Sequence, residues 1–259
     1  MNTNEIAIGR FRLALPAGYE LSSREQSIYA TKVWTVEKLD PAWAAALPNR
    51  LSTPSLIPGV EAVWYENQSV RILEAAKPYS GHAFRLLRDA PAVKEPQAEK
   101  LATNILNAYV PSVESGFVVG HGAIRLGPAQ LETVKLNLRA KDAPEQKISF
   151  STQTVSRPDT AQYMDTKEES DVMRMMGGRL EVFTERKRTL AGMEGVEIQL
   201  LMAPPNAPPM VRYTWHFPGV PGDGAQPKIN FVAHTTPDRR AALDAPWEAV
   251  LASLSKIKP

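Results

Sequence analysis

The residues of this chain that could do chemistry are few and scattered. Catalysis by a serine needs its hydroxyl held on a strained turn beside a base, and no G-x-S-x-G elbow occurs. Ser253 and Lys256 have the S-x-x-K spacing, but no later segment follows that could complete a site around them, so the spacing reads as coincidence. A metal centre needs clustered ligands. His82, His121, His216 and His234 instead lie in separate strand-like segments with no H-E-x-x-H pattern, and read as hydrogen-bonding strand residues. The absence of cysteine removes disulfides, thiolate catalysis and cysteine-ligated metals together. Gly120-His121-Gly122 continues into neither a dinucleotide nor a phosphate-loop pattern, which leaves a close backbone approach or a bulge. The carboxylates form no pair within an apolar strand that would raise a pKa for acid–base work. The sequence therefore assigns no catalytic residue, no metal ligand and no cofactor, and points to a binding protein rather than an enzyme.

Composition narrows the partner. Of 259 residues 43% are hydrophobic and 22% charged, as in a globular protein with a real core. The formal net charge is +2 with the signs interspersed, so no basic stripe invites nucleic acid. No apolar run approaches the roughly 18 residues of a membrane span. Residues 1–5 lack the charged and apolar regions of a signal peptide. The first strand pattern nevertheless begins at about Ile6, as in a mature chain whose leader has been removed, so export stays open.

The elements that would position any site are mainly strands. Phe11, Leu13 and Leu15 alternate with polar or small residues until Pro16 and Gly18 end the segment. Strand patterns follow at 28–36, 60–65, 70–75 and 82–87, with Tyr79-Ser80-Gly81 turning between the last two. Asp40-Pro41 predicts a short helix ahead of Trp43, closed by Pro48. A longer helix is predicted from Pro96, with Ala98, Leu101, Ile105, Ala108 and Tyr109 on one face and Pro111 as its stop. Alternation restarts at about Gly116 and runs through 117–126, 134–138, 148–154, 180–184, 196–202, 211–217 and 229–233. Turn-rich connections favour an antiparallel meander over parallel strands with helical crossovers. Asp244 then caps an amphipathic helix carrying Trp247, Val250, Leu251, Leu254 and Ile257. The pattern predicts an α+β fold of two domains, 1–113 and 114–259, each an antiparallel sheet covered by helices.

The second domain carries an inserted helical segment near 157–178. Asp165 and Glu168 have capping-box spacing, and Gly177-Gly178 ends the helix. Met173, Arg174, Met175 and Met176 form its last turn, either filling gaps over the sheet or offering an adaptable contact surface. Glu168, Glu169 and Asp171 make a solvated face or a partner contact. As partner-binding candidates the sequence offers Tyr163, Asp165, Glu168, Met173, Arg174, Met175 and Met176, with Pro208 and Met210 of the proline loop at 203–210. Trp64-Tyr65 and Trp215-His216 place large residues on both faces of their strands, for two-sided burial or for recognition.

Three landmarks, in order along the chain, resemble a known family. They are Gly9-Arg10-Phe11-Arg12-Leu13-Ala14-Leu15-Pro16-Ala17-Gly18, the segment Gly116-Phe117-Val118-Val119-Gly120-His121-Gly122-Ala123-Ile124, and Trp247-Glu248-Ala249-Val250-Leu251-Ala252-Ser253-Leu254. They are similar to the first strand, second-domain opening and closing helix of the immunity proteins against the fourth class of type VI secretion lipase effectors. The chain departs from many members in having Ile8 and Val118 where those carry cysteines. The resemblance implies a periplasmic protein, often lipid-anchored on its precursor, with two α+β domains arranged like a two-lobed claw. It implies a cognate secreted phospholipase as partner, inhibited by blocking its lid opening or its access to membrane. A PsbP-like effector chaperone and an envelope lipid-binding lipoprotein are the alternatives; a lipobox upstream or a neighbouring lipase gene would separate them.

Overall fold

The computed structural model describes residues 5–127, 131–157 and 166–258. In chain order the first half forms β1 (Glu5–Ile8), β2 (Phe11–Ala14), β3 (Tyr19–Ile28), β4 (Thr31–Val36), β5 (Arg50–Ser52), β6 (Glu61–Asn67), β7 (Val70–Tyr79), β8 (His82–Asp89) and helix α1 (Glu95–Ala108). Next come β9 (Tyr109–Val110), β10 (Phe117–Val119), β11 (Gly122–Ile124), β12 (Glu132–Ala140), β13 (Ala143–Gln153) and helix α2 (Thr166–Met175). The chain continues through β14 (Arg179–Leu190), β15 (Met193–Ala203), β16 (Met210–Phe217), β17 (Lys228–Thr235), helix α3 (Arg240–Ala252) and β18 (Ser255–Lys256). The architecture is α+β: antiparallel sheets with three helices among the described residues.

Contacts divide the chain into two compact units. Unit 1 comprises Met1–Ile6, Phe11–Arg24 and Thr133–Lys256, and unit 2 comprises Ala7–Arg10, Glu25–Glu132 and Ile257–Pro259. The units defined by these contacts are interleaved in sequence. β2 and the first part of β3 are built into unit 1, and residues up to Glu132 into unit 2.

Unit 1 is a sheet ordered β14-β15-β16-β17-β13-β12, with the start of β3 beside β12. Alternation gives it one apolar face: Leu136, Leu138, Ile148, Phe150, Tyr213, Trp215, Ile229 and Phe231 are all buried. Helix α3 covers that face with Leu243, Trp247, Val250 and Leu251. Trp247 meets Tyr213 and Phe231 edge-on at 5.8 and 6.5 Å, while Phe11 of β2 meets Phe150 at 6.0 Å. Asp244 is not the cap of α3. The helix starts four residues earlier, after the single turn Pro237–Arg239, and the Asp244 carboxylate accepts a hydrogen bond from the Tyr213 hydroxyl at 2.6 Å. Pro246 lies inside α3 and has no N–H to offer the Ala242 carbonyl one turn back. The Gln146 amide, reaching in from β13, donates to that carbonyl instead, at 3.4 Å.

In unit 2 the end of β3, then β4, β8, β7, β6 and β5 are successive neighbours; β5 to β8 form a meander, and the chain crosses over from β4 to β5 to begin it. Helix α1 runs almost as predicted and buries Ala98, Ala102, Ile105 and Leu106. Trp64 donates its indole N–H to Glu99 of α1 at 2.8 Å, and its neighbour Tyr65 is also buried, so this pair is explained by two-sided burial. The strand predicted at 28–36 is in fact two, joined by a tight turn in which Tyr29 and Ala30 take φ of 50° and 56°. The helix predicted after Asp40-Pro41 is only a run of turns: Asp40 accepts from the Ala42 N–H, and Trp43 and Ala44 bury against Val63 and Ala76. β9, β11 and β10 form a small separate sheet. At its turn Gly120 has a φ of 58° and leaves no room for a side chain beside Thr35, while Gly122 lies against Tyr109 and the Val110 carbonyl.

Candidate partner-binding surface

The inserted helix ends as its glycines dictate. Gly177 takes a φ of 80°, its N–H bonds the Arg174 carbonyl, and the Gly178 N–H bonds that of Met173 at 2.9 Å. This is a Schellman closure, which returns the chain directly into β14. Met173 points inward and is 9% exposed. Its thioether and the Ala203 carbonyl both press on Gly178 where a side chain would stand. Met175 and Met176 point outward at 82% and 62% exposure. The methionine turn therefore divides: Met173 is packing, and the other two are surface.

Register brings the second candidate segment to the same place. Arg179 pairs with Ala203 across β14 and β15, and Met202 pairs with Met210 across β15 and β16. The proline loop 204–209 therefore leaves the sheet at the end where α2 stops. Pro208 is exposed and Met210 half-buried. Glu168 and Arg174 are exposed, and Arg174 is ion-paired with Asp171 on the helix itself. Tyr163 and Asp165 lie outside the described residues. Val172 and Val182 add exposed apolar surface on α2 and on β14, the outermost strand of this sheet.

Several titratable and polar groups elsewhere are occupied structurally. Glu197 is fully buried and accepts hydrogen bonds from Trp247 (2.8 Å), Gln199 (2.9 Å), Arg186 (3.0 Å) and Arg188 (3.1 Å). Burial pushes its carboxyl up, but these four donors outweigh that and hold it below the usual range. Ser253 accepts from the Ala14 N–H at 2.8 Å and donates to the Val250 carbonyl at 2.7 Å, a joint between β2 and α3. His82 stacks on Tyr79 at 5.3 Å, bonds the Tyr109 hydroxyl at 3.0 Å and lies 5.2 Å from the His121 ring. Burial, then His121, lowers its pKa. Among the described residues no group of three or more His, Asp or Glu side chains is placed to hold a metal ion. None of the described helices is long and apolar enough to cross a membrane.

One surface was invisible in the sequence. Opposite α3, the sheet of unit 1 presents a row Arg139–Lys147–His234–Arg212 across β12, β13, β17 and β16. A second row, Lys135–Ser151–Asn230–His216, crosses the same strands, with the His216 ring 2.5 Å from the Asn230 amide oxygen. Beside it lies a groove of about 420 Å³, lined by Thr133, Lys135, Ser151, Gln153, Lys228 and Asn230 among others. The signal was the polar residue at every second strand position, but only register aligns those residues into rows.

No curated protein sequence matches the chain. Among solved structures it is similar to the apo immunity protein TplEi of the type VI secretion system of Pseudomonas aeruginosa, with TM-score 0.76, 13% identity, and 98% and 96% of the two chains covered. It is equally similar to a chain of a Tle4–Tli4 complex, with TM-score 0.75, 13% identity and 99% of both chains covered. At that identity the likeness establishes the fold. The model of the C-terminal domain of Tle cognate immunity protein 4 matches residues 110–254, more than half of the sequence. The chain belongs to the Tle cognate immunity protein 4 family.

Proposed function

We propose that this protein binds a cognate secreted lipase effector of a type VI secretion system and holds it inactive in the periplasm, without catalytic activity of its own. The observation that carries this reading is the family match over residues 110–254. It is supported by the full-length likeness to a chain from a Tle4–Tli4 complex. It also favours immunity over the effector-chaperone and lipid-carrier alternatives. Inhibition works by occupying the lid or membrane-facing region of the lipase, so that it cannot open onto a bilayer, with both units engaging the one partner. The end of α2 and the adjoining loop, presenting Glu168, Arg174, Met175, Met176 and Pro208, supply one contact. Met173 and Met210 hold that edge in shape. Unbranched methionines adapt to an apolar partner surface, and prolines limit the entropy a loop loses on binding.

The test is protection. A host expressing the cognate lipase in its periplasm should stop growing. Co-expression of this chain behind an export leader should restore growth, and the same chain kept in the cytoplasm should not. Growth arrest that persists with the exported chain would overturn the reading.

A further inference from the structure

We propose that the sheet face of unit 1 opposite α3, across β12, β13, β17 and β16, docks an acidic segment of the partner lipase; this rests on the function proposed above. Lys135, Arg139 and Lys147 are exposed on this face, and Arg212 lies half-buried at the end of the same row. The nearby carboxylates are already engaged at its margins: Glu20 with Arg139 at 2.6 Å, Glu145 with Arg239 at 3.2 Å, and Glu169 on α2, within electrostatic reach of Arg212. Lys135 and Lys147 have no such counter-charge among the described contacts, and the groove beside Lys135 is lined by no acidic residue. His234, between Lys147 and Arg212, reports the resulting potential. Burial, then Arg212, then Lys147 push its pKa down, and no carboxylate opposes them.

The dimensions and chemistry select the occupant. Three strand spacings make the rows about 15 Å long, the length of about four or five residues of an extended segment lying across the sheet. Between the cations stand Ser149, Ser151, Asn137, Thr214 and Asn230, short hydrogen-bonding side chains that lose little entropy when covered. No Phe, Tyr or Trp projects from these rows for a base to stack on, and the chain as a whole carries only +2, which argues against nucleic acid. Two or three spaced carboxylates of a protein segment fit the spacing of the cations.

Lys135 and Lys147 are exposed, so K135E/K147E leaves the core untouched, which its melting temperature verifies. Calorimetric titration of this variant with the cognate lipase, beside wild type and a control K100E on the exposed face of α1, is the test. The expected result is a loss of affinity of about tenfold or more for K135E/K147E, with a flattened salt dependence, and no change for K100E. Wild-type binding with an undiminished K135E/K147E variant would overturn this surface alone. Failure of wild type to bind the lipase would overturn the surface and the function together.

Discussion

Arg10 and Glu132 show how a single residue of the opening motif is committed to the fold. The guanidinium grips the carboxylate through Nε at 2.8 Å and Nη2 at 2.6 Å, and Nη2 also bonds the Leu126 carbonyl at 3.1 Å, with both side chains buried. Arg10→Ala would take the guanidinium away from a buried carboxylate and should destabilise by about 3–5 kcal/mol in urea unfolding. The double replacement of Arg10 by Met and Glu132 by Leu should recover most of that loss; a double variant as unstable as the single would refute the argument. Histidine chemistry predicts a pH response. His82 and His234 are both held below the usual imidazole value, so the folded state resists protons that the unfolded chain accepts near about pH 6.5. Stability from these groups is complete above that pH and falls as pH drops toward their depressed folded values. Glu197, also depressed, adds a further loss below about pH 4.3. The melting temperature should therefore decline on acidification from pH 7, and a flat or rising profile to pH 5 would contradict it. Such residue roles were not legible in the sequence: Arg10 was visible as part of a motif, but Glu132 lies 122 positions away.

Element by element, local pattern was readable where one face is apolar. Helix α1, the paired strands β15 to β17 and the glycine-ended α2 all follow from periodicity and caps. The misses have physical causes. The whole of β3 is polar through Glu20-Leu21-Ser22-Ser23-Arg24-Glu25, so no alternation marked it as a strand. A proline inside α3 hid that helix's first turns, because the carbonyl it orphans is satisfied by Gln146 from another element. The helix after Asp40 failed because its alanines close one turn and no more. The end of α2 gives the sharpest element-scale prediction. Met173→Ala should cost about 2 kcal/mol or more, since its side chain fills the space against Gly178 and Ala203. Met175→Ala with Met176→Ala should change stability by less than about 0.5 kcal/mol, yet weaken lipase binding. Equal loss of stability at all three positions would return the whole turn to the core. This candidate site was legible as composition. The basic rows of the sheet were not, because they exist only through register among four strands.

At the scale of the whole molecule, the three sequence landmarks serve the fold. Gly9 bonds the strand that opens with Phe117 through Val118 in both directions, at 3.0 and 2.7 Å. Trp247 locks α3 to Glu197, and Ser253 ties α3 to β2. Family membership was therefore readable from positions that hold the scaffold, whereas the proposed contacts Met175, Met176 and Pro208 are exposed and belong to none of the three landmarks. The interleaving of the two units was likewise hidden, since it depends on which distant strand each N-terminal segment joins. The proposed inhibition of a lipase, by a protein proposed to perform no chemistry itself, is a property of the whole molecule. The decisive measurement titrates the purified chain into the cognate lipase, with release of fatty acid from phospholipid vesicles as the readout. Hydrolysis should fall to background at about one equivalent, and the chain alone should release nothing. Undiminished hydrolysis with the chain in excess, or hydrolysis by the chain alone, would contradict it.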